Sequence, residues 1–334
     1  MPPSVSIIIP CYNEEATIHL LLDAILSQPY PLSNIDVVIS DGISQDKTLE
    51  VIANYQRGHP GLILRVVENK QHTIPSSLNL AIREARGKII VRLDAHSVPI
   101  PEYVERCVNA LEGEKGSCVG GIWMIRSSGE GWIPESIAAA AAHPLGVGDA
   151  MYRLQARAGE VDTVPFGAFH RNLIEKIGGF DETLLANEDY EFNTRVRQNG
   201  GVVWLDPQIR STYFARGSLV ELAKQYWRYG YWKFRMLTRY PSTLRWRQAL
   251  PPLFVLSLVV LILSSIFENT ARIILSVEIF FYFIVLITAG IILAIRVHKA
   301  FIIPGLMLAI MTMHLAWGSG FLWSLVSSPF NRHD

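Results

Sequence analysis

The sequence predicts an α/β protein whose doubly wound sheet is followed by an apolar helical module. Three observations carry this. Strand-like and helix-like runs alternate through residues 4–125. Half of the 334 residues are hydrophobic and only 18% are charged, and the apolar excess lies from Pro251 onward. Polar clusters stand just after three of the strand-like runs: Tyr12-Asn13-Glu14, Asp41-Gly42 and Asp94-Ala95-His96.

Each element has its own signal. Residues 4–10 are a short apolar run closed by Pro10, and residues 14–27 place Ile18, Leu21, Leu22 and Ile25 at helical spacing. Residues 35–40 are a β-branched run, and residues 46–55 put Leu49, Ile52 and Ala53 on one helical face. Strand 62–67 precedes helix 75–85, strand 88–93 precedes helix 101–111, and 118–125 is a fifth strand. Repeated βα units of this length imply a mostly parallel sheet with helices on both faces. Ligands on such sheets bind beyond the carboxyl ends of the strands, where the three polar clusters converge. Residues 130–215 are less regular: an alanine run at 138–142, Gly178-Gly179, a helix over 188–198 that opens with two acids, and a short strand at 202–205.

Composition excludes several classes. The 30 basic residues balance the 30 acidic ones, which argues against a nucleic-acid partner. Cys11, Cys107 and Cys118 form neither a disulfide framework nor a metal-like spacing. No GxGxxG follows the first strand and no GxxxxGK[ST] occurs, which disfavours a dehydrogenase and a P-loop NTPase. The opening apolar run is too short for a signal peptide, so the soluble part is expected in the cytoplasm.

Residues 218–247 interleave Tyr226, Trp227, Tyr229, Tyr231 and Trp232 with Lys224, Arg228, Lys233 and Arg235. Such a helix is either a core helix with a cationic face or an amphipathic helix at a membrane surface, and its place ahead of the apolar region favours the second. Residues 249–267, 271–295 and 300–326 each approach or exceed the length that spans a bilayer. Basic residues before the first span and between the second and third predict a multi-pass protein of the inner or plasma membrane with a cytoplasmic soluble domain. The link at Glu268 and the tail 331–334 are expected outside. Glu278 and His314 stand inside the spans, where polar groups face the bundle interior or bond a neighbouring helix.

The motifs resemble a known family. Val5-Ser-Ile-Ile-Ile-Pro-Cys-Tyr-Asn-Glu-Glu15, Ser40-Asp-Gly-Ile-Ser-Gln-Asp-Lys-Thr48 and Arg92-Leu-Asp-Ala-His-Ser97 are similar to the opening motifs of the family 2 inverting glycosyltransferases. Gly178-Gly-Phe-Asp-Glu182 and Asn187-Glu-Asp-Tyr-Glu191 resemble the acceptor side of that family. The ordered match covers residues 4–215. Asp94-Ala-His96, His143-Pro-Leu-Gly146 and the three C-terminal spans resemble the succinoglycan-biosynthesis (ExoA-like) membrane glucosyltransferases more than the long polysaccharide synthases.

The resemblance implies a GT-A fold, a mixed doubly wound sheet that binds a nucleotide diphospho-sugar, over residues 1–217. An interfacial helix at 218–247 and a transmembrane module at 248–330 follow. It implies transfer of a hexose, glucose from UDP-glucose, to a lipid-linked saccharide acceptor in exopolysaccharide or cell-surface glycan synthesis. Polyprenyl phosphate as the acceptor is the alternative, and a processive synthase with a channel is a second. Pro10, Tyr12, Glu14 and Asp41 would frame the nucleoside, with Lys70, Asn79 and Asp94 also on the donor. Read by itself, Tyr12-Asn13-Glu14 could equally be a helix N-terminal cap, and Asp46 the cap of the next helix.

A divalent cation, Mn²⁺ or Mg²⁺, would assist departure of the diphosphate. Asp94 supplies a hard oxygen ligand for it, and His96 replaces the second acid of the usual Asp-x-Asp pattern. An imidazole there suits Mn²⁺ better than Mg²⁺, unless it only bonds the diphosphate or Asp94. Inversion needs a base for the acceptor hydroxyl, and by resemblance Asp189 is that base with Glu188 orienting the acceptor. Gly167 would let the backbone approach the sugar, with His170 as a further contact. Gln225 and Arg228 stand in a variant of the processive Gln-x-x-Arg-Trp motif, with Tyr229 in place of Trp, so Arg228 could meet the leaving diphosphate or a lipid phosphate.

Overall fold

A computed structural model describes residues 2–154 and 157–328, so the tail 331–334 lies outside the described residues. The chain divides into two compact units. One contains the residues up to Met124 together with Met151–Tyr213, and the other Ile125–Ala150 with the chain from Phe214 onward. Segment 125–150, which the sequence reading places inside residues 1–217, therefore clusters with the C-terminal helices.

The first unit is built on β1 (Val5–Cys11), α1 (Ile18–Leu26), β2 (Ile35–Asp41), α2 (Thr48–Gly58), β3 (Ile63–Glu68), α3 (Ile74–Glu84) and β4 (Ile89–Arg92). It continues with β5 (Val98–Pro99), α4 (Tyr103–Glu112) and β6 (Cys118–Arg126). After α5 (Trp132–Ala141) and α6 (Pro144–Val147), which belong to the second unit, come β7 (Gly159–Glu160), β8 (Ala168–His170), α7 (Asn172–Ile177), α8 (Glu188–Gln198) and β9 (Val203–Phe214). Among the described residues, nine strands form one sheet in the order β3-β2-β1-β4-β8-β6-β9-β5, with β7 also on β9. Strands β3, β2, β1 and β4 run parallel, whereas β8 pairs antiparallel with both β4 and β6. The sheet is thus mixed, and its parallel half is the alternating βα run of the sequence.

Alternation of side chains across the parallel strands explains the two cores. Ile7, Ile9, Val37, Ile39, Ile89 and Val91 face one apolar cluster with Leu21 and Ile25 of α1 and Val104 and Val108 of α4. Ile8, Val38 and Ile90 face the other, with Leu78 and Ile82 of α3 and Phe192 and Val196 of α8. All three cysteines are free and buried within these layers, where burial opposes thiolate formation.

Some elements depart from the sequence reading. Strand β9 runs for 12 residues, far beyond 202–205, because its alternation lapses only at Asp206-Pro207-Gln208 and resumes at Ile209. Strands β5 and β7 are two residues each, too short to carry a period. Gly121 on β6 sits so close to β9 that a Cβ would lie 1.8 Å from the Ile209 carbonyl oxygen. Replacing Gly121 with alanine is expected to cost roughly 3 kcal/mol or more through overpacking, read as a drop in the thermal unfolding temperature.

The second unit gathers α5, α6, α9 (Leu219–Arg239), α10 (Trp246–Ser264), α11 (Asn269–Val297) and α12 (Ile302–Ser327). The last three are each long and apolar enough to cross a membrane. Helix α9 starts at Ser218, whose hydroxyl caps the Glu221 N–H at 3.3 Å, and ends before Pro241. Its buried residues Leu222, Tyr226, Gly230, Lys233 and Met236 form one stripe. Gly230 and Gly320 let α9 and α12 touch backbone to backbone, since a Cβ on Gly230 would meet the Trp317 carbonyl at 2.0 Å and one on Gly320 the Trp227 carbonyl at 2.2 Å. The polar groups of the apolar helices bond their neighbours as expected. Ser257 Oγ donates to Glu278 Oε1 at 2.5 Å, and His314 contacts the Tyr282 hydroxyl at 3.1 Å and the Leu145 carbonyl at 2.7 Å.

Candidate active site

The carboxyl ends of β2, β1 and β4 lie side by side because the strands are parallel and in register, Cys11 against Asp41 and Ile8 against Arg92. The loops beyond them are laced together. The Asn13 N–H donates to Ser44 Oγ at 2.9 Å, and Asn13 Oδ1 accepts from the Gln45 N–H at 2.8 Å. The Glu14 N–H donates to Thr48 Oγ1 at 2.7 Å. Glu14 Oε1 meets His96 Nδ1 at 2.8 Å, which ties the first and third polar clusters. The convergence read from the sequence is therefore present.

Pro10 is the penultimate residue of β1, and Tyr12 stands half exposed beside Gly42. Asp41 is buried, and both of its oxygens serve its own loop: Oδ2 accepts from the Ser44 N–H at 2.9 Å and Oδ1 from the Ser44 hydroxyl at 2.6 Å. His72 reaches the same loop, with Nδ1 donating to the Gly42 carbonyl at 2.7 Å. Asn13, Ile43 and His72 all have positive φ, at 54°, 60° and 56°. For a β-branched residue such as Ile43 this is a strained backbone, concentrated beside the cleft.

The centre of the site is Arg92, the last residue of β4, whose side chain is only 2% exposed. Its Nε and Nη2 donate to Asp94 Oδ1 at 3.3 and 3.1 Å, Nη2 also to Glu188 Oε1 at 2.9 Å, and Nη1 to Asp189 Oδ1. Glu188 and Asp189 arrive from α8, which starts where Asn187 adopts a left-handed φ of 64°. Helix 188–198 is thus found where the sequence predicts it, and its two opening acids share one guanidinium with Asp94. Phe166 and Phe180 lie 5.9 and 6.0 Å from the Arg92 guanidinium carbon.

Burial raises the Asp189 carboxyl to about 7 from its ordinary 3.8. Arg92 opposes the rise, and the negative charges of Glu188 and Asp94 reinforce it. One cation compensates three carboxylates, so crowding of like charge favours protonation of one of them. Arg92 itself is held charged, because the attraction of Asp189, Asp94 and Glu188 outweighs its burial.

Asn79 is taken up by the loop that carries Phe180: its amide donates to the Phe180 carbonyl and to Glu182 Oε1, both at 2.8 Å, and its oxygen accepts from the Phe180 N–H at 2.7 Å. It holds a wall of the Arg92 pocket in place. Lys70 is exposed on the turn after β3. Gly167 is buried opposite Arg92, whose N–H donates to its carbonyl at 3.3 Å, and a Cβ there would meet Cys118 Sγ at 2.6 Å, so its smallness serves sheet packing. His170 pairs with Ile89, three residues back along β4 from Arg92, or roughly 10 Å at the strand rise. It sits toward the amino end of that strand, away from the carboxyl-end cleft. Gln225 and Arg228 lie on α9 in the second unit, where Gln225 Nε2 donates to the Tyr229 hydroxyl at 3.0 Å and Arg228 is exposed.

Arg92 opens the Arg92-Leu-Asp-Ala-His-Ser97 motif, and no role for it is implied by that motif alone. Its signal is an arginine closing an otherwise apolar strand, two residues before Asp94. Phe166, Phe180 and His72 carry no signal of that kind.

No group of three His, Cys, Asp or Glu side chains gathers to hold a metal ion among the described residues. Only Oδ1 of Asp94 is engaged by Arg92, which leaves Oδ2 for a cation. Such a donor set fits an ion held by one or two protein ligands and completed by substrate phosphates, not a cage made by the protein alone.

A mixed sheet with acids at the carboxyl ends of its parallel strands is the architecture of the GT-A type. The comparisons agree: residues 6–178 match the sequence model of glycosyl transferase family 2, and the chain belongs to that family. It is therefore a glycosyltransferase. Among its relatives is the dolichyl N-acetyl-alpha-D-glucosaminyl phosphate 3-beta-D-2,3-diacetamido-2,3-dideoxy-beta-D-glucuronosyltransferase of Methanococcus voltae, 29% identical over 72% of this chain and 76% of that protein. The succinoglycan biosynthesis protein ExoA of Rhizobium meliloti is 28% identical over 73% of both chains. Among solved structures, the mannosyltransferase PcManGT of Pyrobaculum calidifontis, in complex with GDP-Man and Mn²⁺, superposes with a TM-score of 0.66 at 21% identity, covering 97% of this chain and 88% of the other. That likeness is one of fold.

Proposed function

We propose that this family 2 glycosyltransferase is a membrane-bound inverting enzyme that moves a hexose, glucose from UDP-glucose, onto a lipid-linked saccharide in exopolysaccharide or cell-surface glycan synthesis. The observation that carries the reading is the meeting of Asp94 with Glu188 and Asp189 on Arg92. It supports a site in which a donor-side carboxylate, Asp94, works beside two acceptor-side ones. Asp189 is the base: it takes the proton of the acceptor hydroxyl as that oxygen bonds to the anomeric carbon and the bond to the diphosphate breaks on the opposite side. UDP leaves with the bonding electrons. Glu188 orients the acceptor.

Pro10, Tyr12, Glu14 and the Asp41 loop frame the nucleoside, with Lys70 near the diphosphate. A divalent cation, Mn²⁺ or Mg²⁺, would be held by Asp94 and His96, and when bound it screens the charge of the departing diphosphate. The three apolar helices support a multi-pass membrane protein. The basic residues that flank them support a cytoplasmic active site, and the exposed Lys224, Arg228 and Arg239 support α9 as an interfacial helix.

The Methanococcus relative acts, by its name, on a dolichyl-linked N-acetylglucosaminyl phosphate, which supports a lipid-linked saccharide over bare polyprenyl phosphate. Full-length protein in membranes, given radiolabelled UDP-glucose with either a preassembled glycolipid or polyprenyl phosphate, tests this. Label on the glycolipid with a single added sugar is the expected result. Label on polyprenyl phosphate makes the product a sugar carrier, and long products make the enzyme processive.

The raised Asp189 carboxyl gives a pH dependence of definite sign. A protonated Asp189 cannot accept a proton, so kcat/KM should rise about tenfold per unit below an apparent pKa of about 7 and level off above it. Stability should move the other way. A carboxyl whose folded pKa is raised contributes stability below 3.8 that is lost as pH rises through about 7. A flat rate profile from pH 5.5 to 8, with unfolding measured alongside, would remove Asp189 from the base role.

A further inference from the structure

We propose that Arg92 is a positioning residue for the transfer reaction: its guanidinium holds the two acids of α8 against the donor end of β4 and acts through Asp189. This rests on the assignment of Asp189 as base and goes beyond it. A buried arginine needs one carboxylate to balance its charge, yet Arg92 meets three, from two elements nearly a hundred residues apart in sequence. Nε, Nη1 and Nη2 each reach a carboxylate, so the planar fork fixes directions as well as charge.

Without it, Glu188 and Asp189 would repel each other and Asp94 inside a poorly solvated pocket, and the first turn of α8 would move apart from β4. Aromatic rings border the fork: Phe166 and Phe180 lie 5.9 and 6.0 Å from its central carbon, and Phe180 is clamped by Asn79. Lysine offers the charge without the fork.

The test is a mutant cycle on the full-length protein in membranes with UDP-glucose, reading kcat and donor KM for Arg92→Gln, Arg92→Lys, Asp189→Asn and the Arg92/Asp189 double variants. Arg92→Gln should lower kcat by roughly a hundredfold while donor KM changes by less than about threefold. Arg92→Lys should fold and still lose more than about tenfold in kcat. Because Arg92 acts through Asp189, each double variant should be within about threefold of Asp189→Asn alone. If Arg92→Gln fails to unfold cooperatively, the lysine arm decides. Losses that multiply in the double variants, a wild-type kcat for Arg92→Lys, or an effect confined to donor KM would each overturn the proposal. An Asp189→Asn variant at the wild-type rate overturns the base assignment and this proposal together, whereas a slow Asp189→Asn beside unimpaired Arg92 variants overturns this proposal alone.

Discussion

Asp189→Asn is expected to slow transfer by roughly 10²–10⁴-fold, or about 3–5 kcal/mol of transition-state stabilisation, while leaving UDP-glucose binding intact. Asparagine keeps the shape of the side chain, and its carbonyl can still accept from Arg92, so the fold has little reason to change. What disappears is the proton acceptor. The acid limb of the pH–rate profile should disappear with it, because Asp189 is the group raised to about 7. Glu188→Gln should cost less. It should also shift the limb downward, since the negative charge of Glu188 is one cause of the rise. Rates and donor affinities for the two variants, measured from pH 5.5 to 8, separate the roles. A larger loss at Glu188 than at Asp189 would exchange them. Glu191, the next acid on α8, is a poor substitute, because both of its oxygens are bound by Arg195 at 2.6 and 2.8 Å.

Asp94→Asn is expected to abolish transfer. It removes the hard ligand proposed for the cation, and with it the screening of the departing diphosphate. The variant should fold, since an amide oxygen can still accept from Arg92. A direct readout is Mn²⁺ affinity, which should fall together with activity. Retention of more than about a tenth of the wild-type rate in saturating Mn²⁺ would place the ion elsewhere. A companion variant, His96→Asp, should stay active and move preference toward Mg²⁺, because it exchanges an imidazole for a hard oxygen. An unchanged ratio of Mn²⁺ to Mg²⁺ activity would confine His96 to its bond with Glu14.

Much of this site is legible in the chain because it is local. Tyr12-Asn13-Glu14, Asp41-Gly42 and Asp94-Ala95-His96 follow apolar β-branched runs, and a parallel βα repeat sends such residues to one edge. Helix 188–198 is legible from its acidic start and its period, and the apolar helices from length and hydropathy alone. These features depend on neighbours within a turn or a strand.

What tertiary structure alone decided depends on partners far away in sequence. Gly167-Ala-Phe-His-Arg171 reads as a loop near a sugar, yet Ala168–His170 is strand β8, inserted antiparallel between β4 and β6. Three residues hold too little pattern to announce a strand whose pairing lies tens of residues away. Asn79 reads as a nucleotide contact and is a clamp on Phe180, a bond across a hundred residues that no local period encodes. Segment 125–150 reads as part of the soluble domain, but it clusters with α9–α12. Arg92 is the clearest case. Sequence alone shows a cation at the end of a buried strand, where the cost of desolvation demands a partner. Asp94 is two residues away, but only the fold brings Glu188 and Asp189 to it, and so makes one buried charge the meeting point of three carboxylates.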